Sequence, residues 1–176
     1  FQRAMDCYEF ASEYEADSEE IRFKLARVYY LTHKEHLAIQ HIYALPPSFM
    51  ASEFDYQEFA ALFIDLEQPE IAEQFFNAFL DRDPYNFAAW YYLALVFQKF
   101  ELYEKAINAF EFCIAIDDQN PDGFQGKGNC LMEKGAFTEA IEYLKKALDN
   151  EFDEGEILCN IAECYENMEN LSSAKY

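Results

Sequence analysis

The sequence predicts an all-α chain of about ten helices stacked as hairpins into a solenoid. Three observations predict it. Alanines at Ala4, Ala38, Ala72, Ala106, Ala140 and Ala174 stand 34 residues apart along the whole 176-residue chain. Between consecutive alanines, apolar residues recur twice at steps of three and four with a polar break, the pattern of two amphipathic helices and a turn. Hydrophobic residues make up 52% of the chain, enough for a buried core, while five glycines and five prolines are too few for a long flexible linker.

Each element follows from that period. Residues 1–18 read as the second half of a truncated unit, with Ala4, Tyr8 and Ala11 on one helix face. In the full unit 19–52, Leu25, Ala26 and Tyr29 mark a first helix and Ala38 and Ile42 a second, which Pro46 and Pro47 should stop early. The unit 53–86 repeats this with Tyr56, Phe59, Ala60 and Phe63, then Ala72 and Phe76; Pro69 fits a first helical turn. The unit 87–120 shows it most clearly, with Trp90, Leu93, Ala94 and Phe97, a turn around Glu101, then Ala106, Phe110 and Cys113. In 121–154 the series is Phe124, Lys127, Gly128 and Leu131, then Ala140, Leu144 and Ala147. A partial unit, 155–176, carries Leu158, Ile161, Ala162 and Tyr165.

Four of the five glycines, Gly123, Gly126, Gly128 and Gly135, fall in the unit 121–154. Within a helix each costs about 1 kcal/mol relative to alanine, so this unit is expected to be the least rigid. On the other reading, Gly128 is the ordinary small contact and Gly123 lies near the helix start. Small residues at these places let two helices approach closely, and the large residues beside them fill the groove.

With this register the chain resembles the tetratricopeptide repeat family over its full length. The large residue of the first helix is Tyr56, Trp90, Phe124 and Leu158; the small one is Ala26, Ala60, Ala94, Gly128 and Ala162. The resemblance implies a right-handed superhelix whose first helices line a concave face that binds peptides or helices. Carried over, the inward positions are Phe23, Arg27, Tyr30 and Leu31, then Phe54, Gln57, Ala61, Ile64 and Asp65. Next come Tyr91, Leu95, Gln98 and Lys99, followed by Asp122, Gln125, Asn129, Met132 and Glu133. Glu156, Cys159, Glu163, Glu166 and Asn167 complete the series. Such a groove is aromatic and apolar early and acidic late. It suits a segment with apolar anchors at one end and Lys or Arg at the other. Some members grip a C-terminal carboxylate with Lys, Asn and Arg; the matching places here hold Phe23, Arg27, Glu58, Ala88 and Tyr92, so acidic tails are not expected to bind.

Charge narrows the partner. A net charge of −21 repels phosphate backbones and anionic membrane faces. It favours basic protein surfaces, although it would also serve simply to keep an aromatic-rich chain dispersed. From Asp149 to Glu169 there are eight acids and no Lys or Arg. That stretch reads either as a solvated face or as a contact for a basic partner.

No apolar run reaches the ~20 residues that span a bilayer, and no signal peptide is visible. The five cysteines form no CxxC pair, which points to a reducing, cytoplasmic setting. His33, His36 and His41 cluster at one hairpin turn without a cysteine to complete a zinc set, and no catalytic motif occurs, so neither metal, cofactor nor enzymatic activity is expected. The chain starts at Phe1 and is expected to be a piece of a longer protein, with apolar ends able to stack end to end. The expected role is a scaffold or adaptor. A dedicated chaperone for an export substrate, or a regulatory arm of an enzyme outside this stretch, are the alternatives.

Overall fold

A computed structural model describes residues 1–15, 17–45, 53–149 and 155–173, the side chains at 35, 43, 53–55 and 170–173 excepted. Among the described residues there are ten helices and no strand. They are α1 (Gln2–Tyr14), α2 (Glu19–Leu31), α3 (Glu35–Tyr43), α4 (Glu53–Asp65) and α5 (Pro69–Leu80), then α6 (Phe87–Lys99), α7 (Tyr103–Ile116), α8 (Pro121–Glu133), α9 (Phe137–Leu148) and α10 (Gly155–Ser173). The chain divides into two compact units, residues 1–84 and residues 85–176. In unit 1, α1 packs on α2, α2 on α3 and α4 on α5. In unit 2 each helix packs on the next from α6 to α10, and α8 also touches α6 and α10.

The helix starts repeat because their caps repeat. Ser18, Asn86 and Asn120 stand in one register and each accepts a backbone N–H of the helix that follows, from Ile21, Ala89 and Asp122 respectively. Pro69 and Pro121 occupy the first turns of α5 and α8, where a missing N–H costs nothing. α3 ends at Tyr43, and the effect of Pro46 and Pro47 lies outside the described residues.

The turn inside each hairpin is a feature the sequence conceals. His33, Glu67, Glu101 and Gly135 take φ of 57°, 53°, 58° and 79°, the left-handed region, at successive 34-residue steps. Each donates its N–H three residues back, at 2.9–3.1 Å, while the next residue donates five back, as in Lys34 to Tyr29 at 2.8 Å and Ala136 to Leu131 at 2.9 Å. This pair of hydrogen bonds closes the carbonyl end of the helix and reverses the chain. The corresponding residue in the last repeat, Glu169, lies within α10, which runs on to Ser173.

The core sits where small residues meet. Ala38, Ala72, Ala106 and Ala140 on the second helices are fully buried, and Ala26, Ala60, Ala94 and Gly128 on the first helices are buried too. Phe76, Phe110 and Leu144 lie one turn on and are completely enclosed; burying each side chain is worth about 1.5–3 kcal/mol. Helices at either end of the described chain keep one face open. Ala4 and Ala162 are exposed, as are Leu158 and Tyr165. Ala174 lies outside the described residues.

The glycines of α8 have a packing reason. A Cβ at Gly126 would lie 2.3 Å from the Phe110 ring, and one at Gly128 would lie 2.7 Å from the Leu144 side chain. Gly123 is less tight, a Cβ there lying 3.1 Å from Ile114 and 3.2 Å from Cys113. The propensity cost expected from the sequence is thus exchanged for close approach of α8 to α7 and α9.

Candidate binding groove

The first helices of the repeats carry the residues predicted to face a ligand, and the two units arrange them differently. In unit 1, Arg27 on α2 forms an ion pair with Glu58 on α4, Nε to Oε2 2.5 Å. One turn further, the Tyr30 hydroxyl donates to Asp65. Burial, then this bond to Asp65, pushes the Tyr30 phenol up to about 12. Tyr30, Leu31, His33, Asp65 and Leu66 line a cleft of about 340 Å³. Phe23, expected in the groove, is buried with its ring 4.8 Å from Phe59, so it supports the floor. Gln57 is exposed and Ile64 half-buried on α4. The Phe54 side chain lies outside those described. The early groove is therefore less an open aromatic surface than two polar struts over a buried aromatic layer.

In unit 2 a cleft of about 330 Å³ opens on α6, α8 and α10. Tyr91, Leu95 and Gln98 come from α6, Asp122, Gln125, Gly126 and Asn129 from α8, and Glu156 from α10. The cleft thus holds seven of the expected inward positions, Tyr91, Leu95, Gln98, Asp122, Gln125, Asn129 and Glu156. Asn160 of α10, which the sequence did not suggest, donates to the Asn129 carbonyl oxygen at 2.9 Å. The Tyr91 phenol is pushed up to about 12, chiefly by burial and then by the negative charges of Asp122 and Glu156, with Tyr92 and Cys113 adding. Lys99 and Glu133 are exposed in the last turns of α6 and α8 and do not line the cleft; Glu163 and Glu166 are exposed on α10.

Behind the cleft, Lys127 occupies a position that holds Leu25, Phe59, Leu93 and Ile161 elsewhere. It is 5% exposed. Its ammonium donates to Glu111 at 2.6 Å and to the Tyr143 hydroxyl at 2.8 Å, and it sits 4.0 Å from the Tyr143 ring centre. Burial lowers its affinity for a proton, but the bonds to Glu111 and Tyr143 more than offset this, and it titrates above an ordinary lysine. Only its departure from an apolar series hinted at this brace between α7, α8 and α9. Cys113 and Cys130 are buried and pushed up to about 12 by that burial, which leaves no thiolate at neutral pH for nucleophilic chemistry there. Among the described residues no three or more His, Cys, Asp or Glu cluster to hold a metal ion, and no helix is long and apolar enough to cross a membrane.

Two family models, both described as tetratricopeptide repeat, match residues 58–121 and 122–153. The chain belongs to the tetratricopeptide repeat family. Solved structures of TPR-fold proteins resemble it. The crystal structure of MamA is 23% identical, over 83% of this chain and 85% of that one, with a TM-score of 0.66. YrrB, described as a TPR protein with an unusual peptide-binding site, is 19% identical over 89% of this chain and 81% of that one, with a TM-score of 0.67. The first TPR domain of the human RPAP3 protein is 13% identical over 69% of this chain and 95% of its own, with a TM-score of 0.61. At these identities the likeness speaks to fold. No curated protein matches the sequence. As a TPR protein the chain is a protein–protein interaction module, and no catalytic family is indicated.

Proposed function

We propose that the face formed by the first helices of the TPR hairpins binds an extended or helical peptide of a partner protein, one that combines apolar with basic side chains. The observation that carries this reading is the cleft on α6, α8 and α10, where an apolar wall from Tyr91 and Leu95, side-chain amides from Gln98, Gln125 and Asn129, and the carboxylates of Asp122 and Glu156 line one space. Amides pair with either polar group of a peptide backbone, carboxylates attract cations, and the apolar wall takes a hydrophobic side chain. Among the described residues no Lys or Arg lines the cleft, so its charge favours a basic ligand. The five free cysteines suit a reducing, cytoplasmic setting for this role.

A random peptide library selected on the full chain tests the reading. Selection is expected to enrich peptides that pair apolar residues with Lys or Arg. Tyr91→Ala should weaken a selected peptide roughly tenfold, as loss of a buried aromatic anchor does. Enrichment of acidic peptides, or undiminished affinity in both Tyr91→Ala and Gln125→Ala, would sink it.

A further inference from the structure

Lys127 is a buried charge outside the cleft, at a position that holds the buried Leu25, Phe59, Leu93 and Ile161 in the other repeats. It stands on α8 midway between Gln125 and Asn129, which both line the cleft. Two residues along an α-helix turn the side chain by about 200°, so Lys127 lies on the side of α8 turned away from those two amides. There its ammonium reaches two different neighbours, Glu111 on α7 at 2.6 Å and the Tyr143 hydroxyl on α9 at 2.8 Å. On the cleft side a second tie runs to α10, where Asn160 donates to the Asn129 side chain at 2.9 Å. Between these ties α8 offers few side chains to lock it. Gly123 stands where α6 and α10 carry the buried Ala89 and Ile157, and Gly126 where they carry Tyr92 and Asn160. Side chains set into grooves resist rotation of a helix about its axis, and glycine supplies none. Hydrogen bonds are directional and can do so in their place.

Resting on the groove reading above, we infer that Lys127 is a positioning residue for the unit 2 cleft: by tying the far side of α8 to Glu111 and Tyr143 it fixes the rotation of α8, and with it the direction in which Gln125 and Asn129 face a ligand. An apolar side chain of similar size would fill the same space. Exchanging a buried ion pair for such a side chain is often neutral or stabilising. The cost of freeing Glu111 is small, because its side chain is 54% exposed and water can take up the carboxylate. What the lysine adds is therefore direction, the kind of registry that a buried polar group sets between packed helices. Its two partners lie on the helices either side of α8, so a turn of α8 in either sense lengthens one of the two bonds.

The test compares the full chain with Lys127→Met, which keeps most of the stem and removes the ammonium. Three quantities are read: the urea midpoint, the side-chain amide resonances of Gln125, Asn129 and Asn160 without ligand, and the affinity for a library-selected peptide. The midpoint is expected to hold or rise. The amide signals should nevertheless shift or broaden, and the peptide should bind several-fold more weakly, because a site whose support is loosened loses affinity at unchanged stability. Tyr143→Phe keeps the ring and takes away one of the two bonds. It should move the same signals in the same direction by less, and it decides the matter if Lys127→Met folds poorly. Glu104→Gln weakens another α7 contact, the ion pair with Lys134 at the end of α8, and should leave the cleft signals in place. Unmoved amide signals in Lys127→Met, or in Tyr143→Phe should the first variant unfold, overturn the inference. Equal movement in Glu104→Gln overturns it too, since α8 would then be held diffusely, as does undiminished peptide affinity beside moved signals. A selected peptide that ignores Tyr91 in the parent chain removes the groove reading instead, and the amide signals of the free chain still decide whether Lys127 orients α8.

Discussion

Units 1 and 2 are built on one 34-residue template, yet they hold successive hairpins together by different means. Across α2 and α4, unit 1 uses rings and polar struts. Phe23 packs on Phe59, Phe59 on Phe75, and Phe75 on Phe76 and Phe79, with centroids 4.8–5.4 Å apart, while Arg27–Glu58 and Tyr30–Asp65 close the exposed side. Unit 2 draws α8 in by glycine, so that Phe110 and Leu144 press on backbone, and braces it with Lys127. Cohesion in unit 2 thus lies mainly at the back of the first helices, while on their other face Asn160 of α10 donates to the Asn129 side chain of α8. The same repeat can therefore fasten successive hairpins from either side of its first helices.

The largest effect should come from breaking the ring layer. Phe76 is completely buried and its ring lies 5.4 Å from Phe75, 6.0 Å from Tyr56 and 6.4 Å from Phe63. Phe76→Ala is expected to cost about 3–5 kcal/mol, from lost transfer energy plus the cavity left behind. Urea unfolding of the full chain measures it. A loss below about 1 kcal/mol would mean that the struts, not the rings, hold unit 1 together.

Gly126→Ala tests the opposite device, and its sign is informative. In an exposed helix, alanine in place of glycine gains about 1 kcal/mol. Here the new methyl meets the Phe110 ring at 2.3 Å, so a loss of about 1–3 kcal/mol is expected. Combining it with Phe110→Leu should recover part of the loss, because the smaller side chain vacates the contact. A Gly126→Ala variant more stable than the parent would show that close backbone approach is not what unit 2 relies on.

Period and small-residue contacts were legible because a stacked repeat must place the same residue types at the same interface each time. Ala38, Ala72, Ala106 and Ala140 are fully buried for that reason. What could not be read was whether a given side chain is spent inside the molecule. Phe23 stands at a groove position, but Phe59 on the neighbouring helix offers it a better-packed surface. Arg27 and Tyr30 stand there too, and carboxylates 31 and 35 residues further on take them up. Such pairings depend on the offset between helices, which periodicity does not encode. The left-handed turn residue stayed hidden because only Gly135 shows the usual signature, while His33, Glu67 and Glu101 adopt the same φ without it. That Tyr91, Leu95, Gln98, Asp122, Gln125, Asn129 and Glu156 share one cleft followed from the family resemblance, which says that first helices line one face, with the register supplying the positions.

Smaller effects belong to the struts. Arg27 and Glu58 are 37% and 27% exposed, so water screens them partly. A double-mutant cycle with Arg27→Ala and Glu58→Ala should give a coupling of about 0.2–1 kcal/mol, shrinking at high salt. The strut then acts mainly by occupying the groups that would otherwise face a ligand. Arg27→Ala alone, which takes the ion-pair partner from Glu58, is expected to raise the affinity of unit 1 for basic peptides even as stability hardly changes. A coupling well above about 1 kcal/mol would instead make it a principal fastening of unit 1.

The finest distinction is by pH, because all three histidines lie in unit 1. His41 is half-buried beside Tyr29, with ring centroids 5.3 Å apart. Burial lowers its pKa from the ordinary 6.5, Arg22 lowers it further, and Glu9 opposes both. Above pH 6.5 the ring is neutral whether the chain is folded or not, and the stabilising environment is fully felt. As pH falls through 6.5 towards the lower folded value, the unfolded chain takes the proton first, so folding stability declines over that window. His41→Gln should flatten the change in urea midpoint between pH 7.5 and pH 5.5 relative to the parent. Amide exchange should place the lost protection in α2 and α3, not in unit 2, which has no histidine to titrate there. A variant with an undiminished slope would shift the cause to groups shared by both units and erase this difference between them.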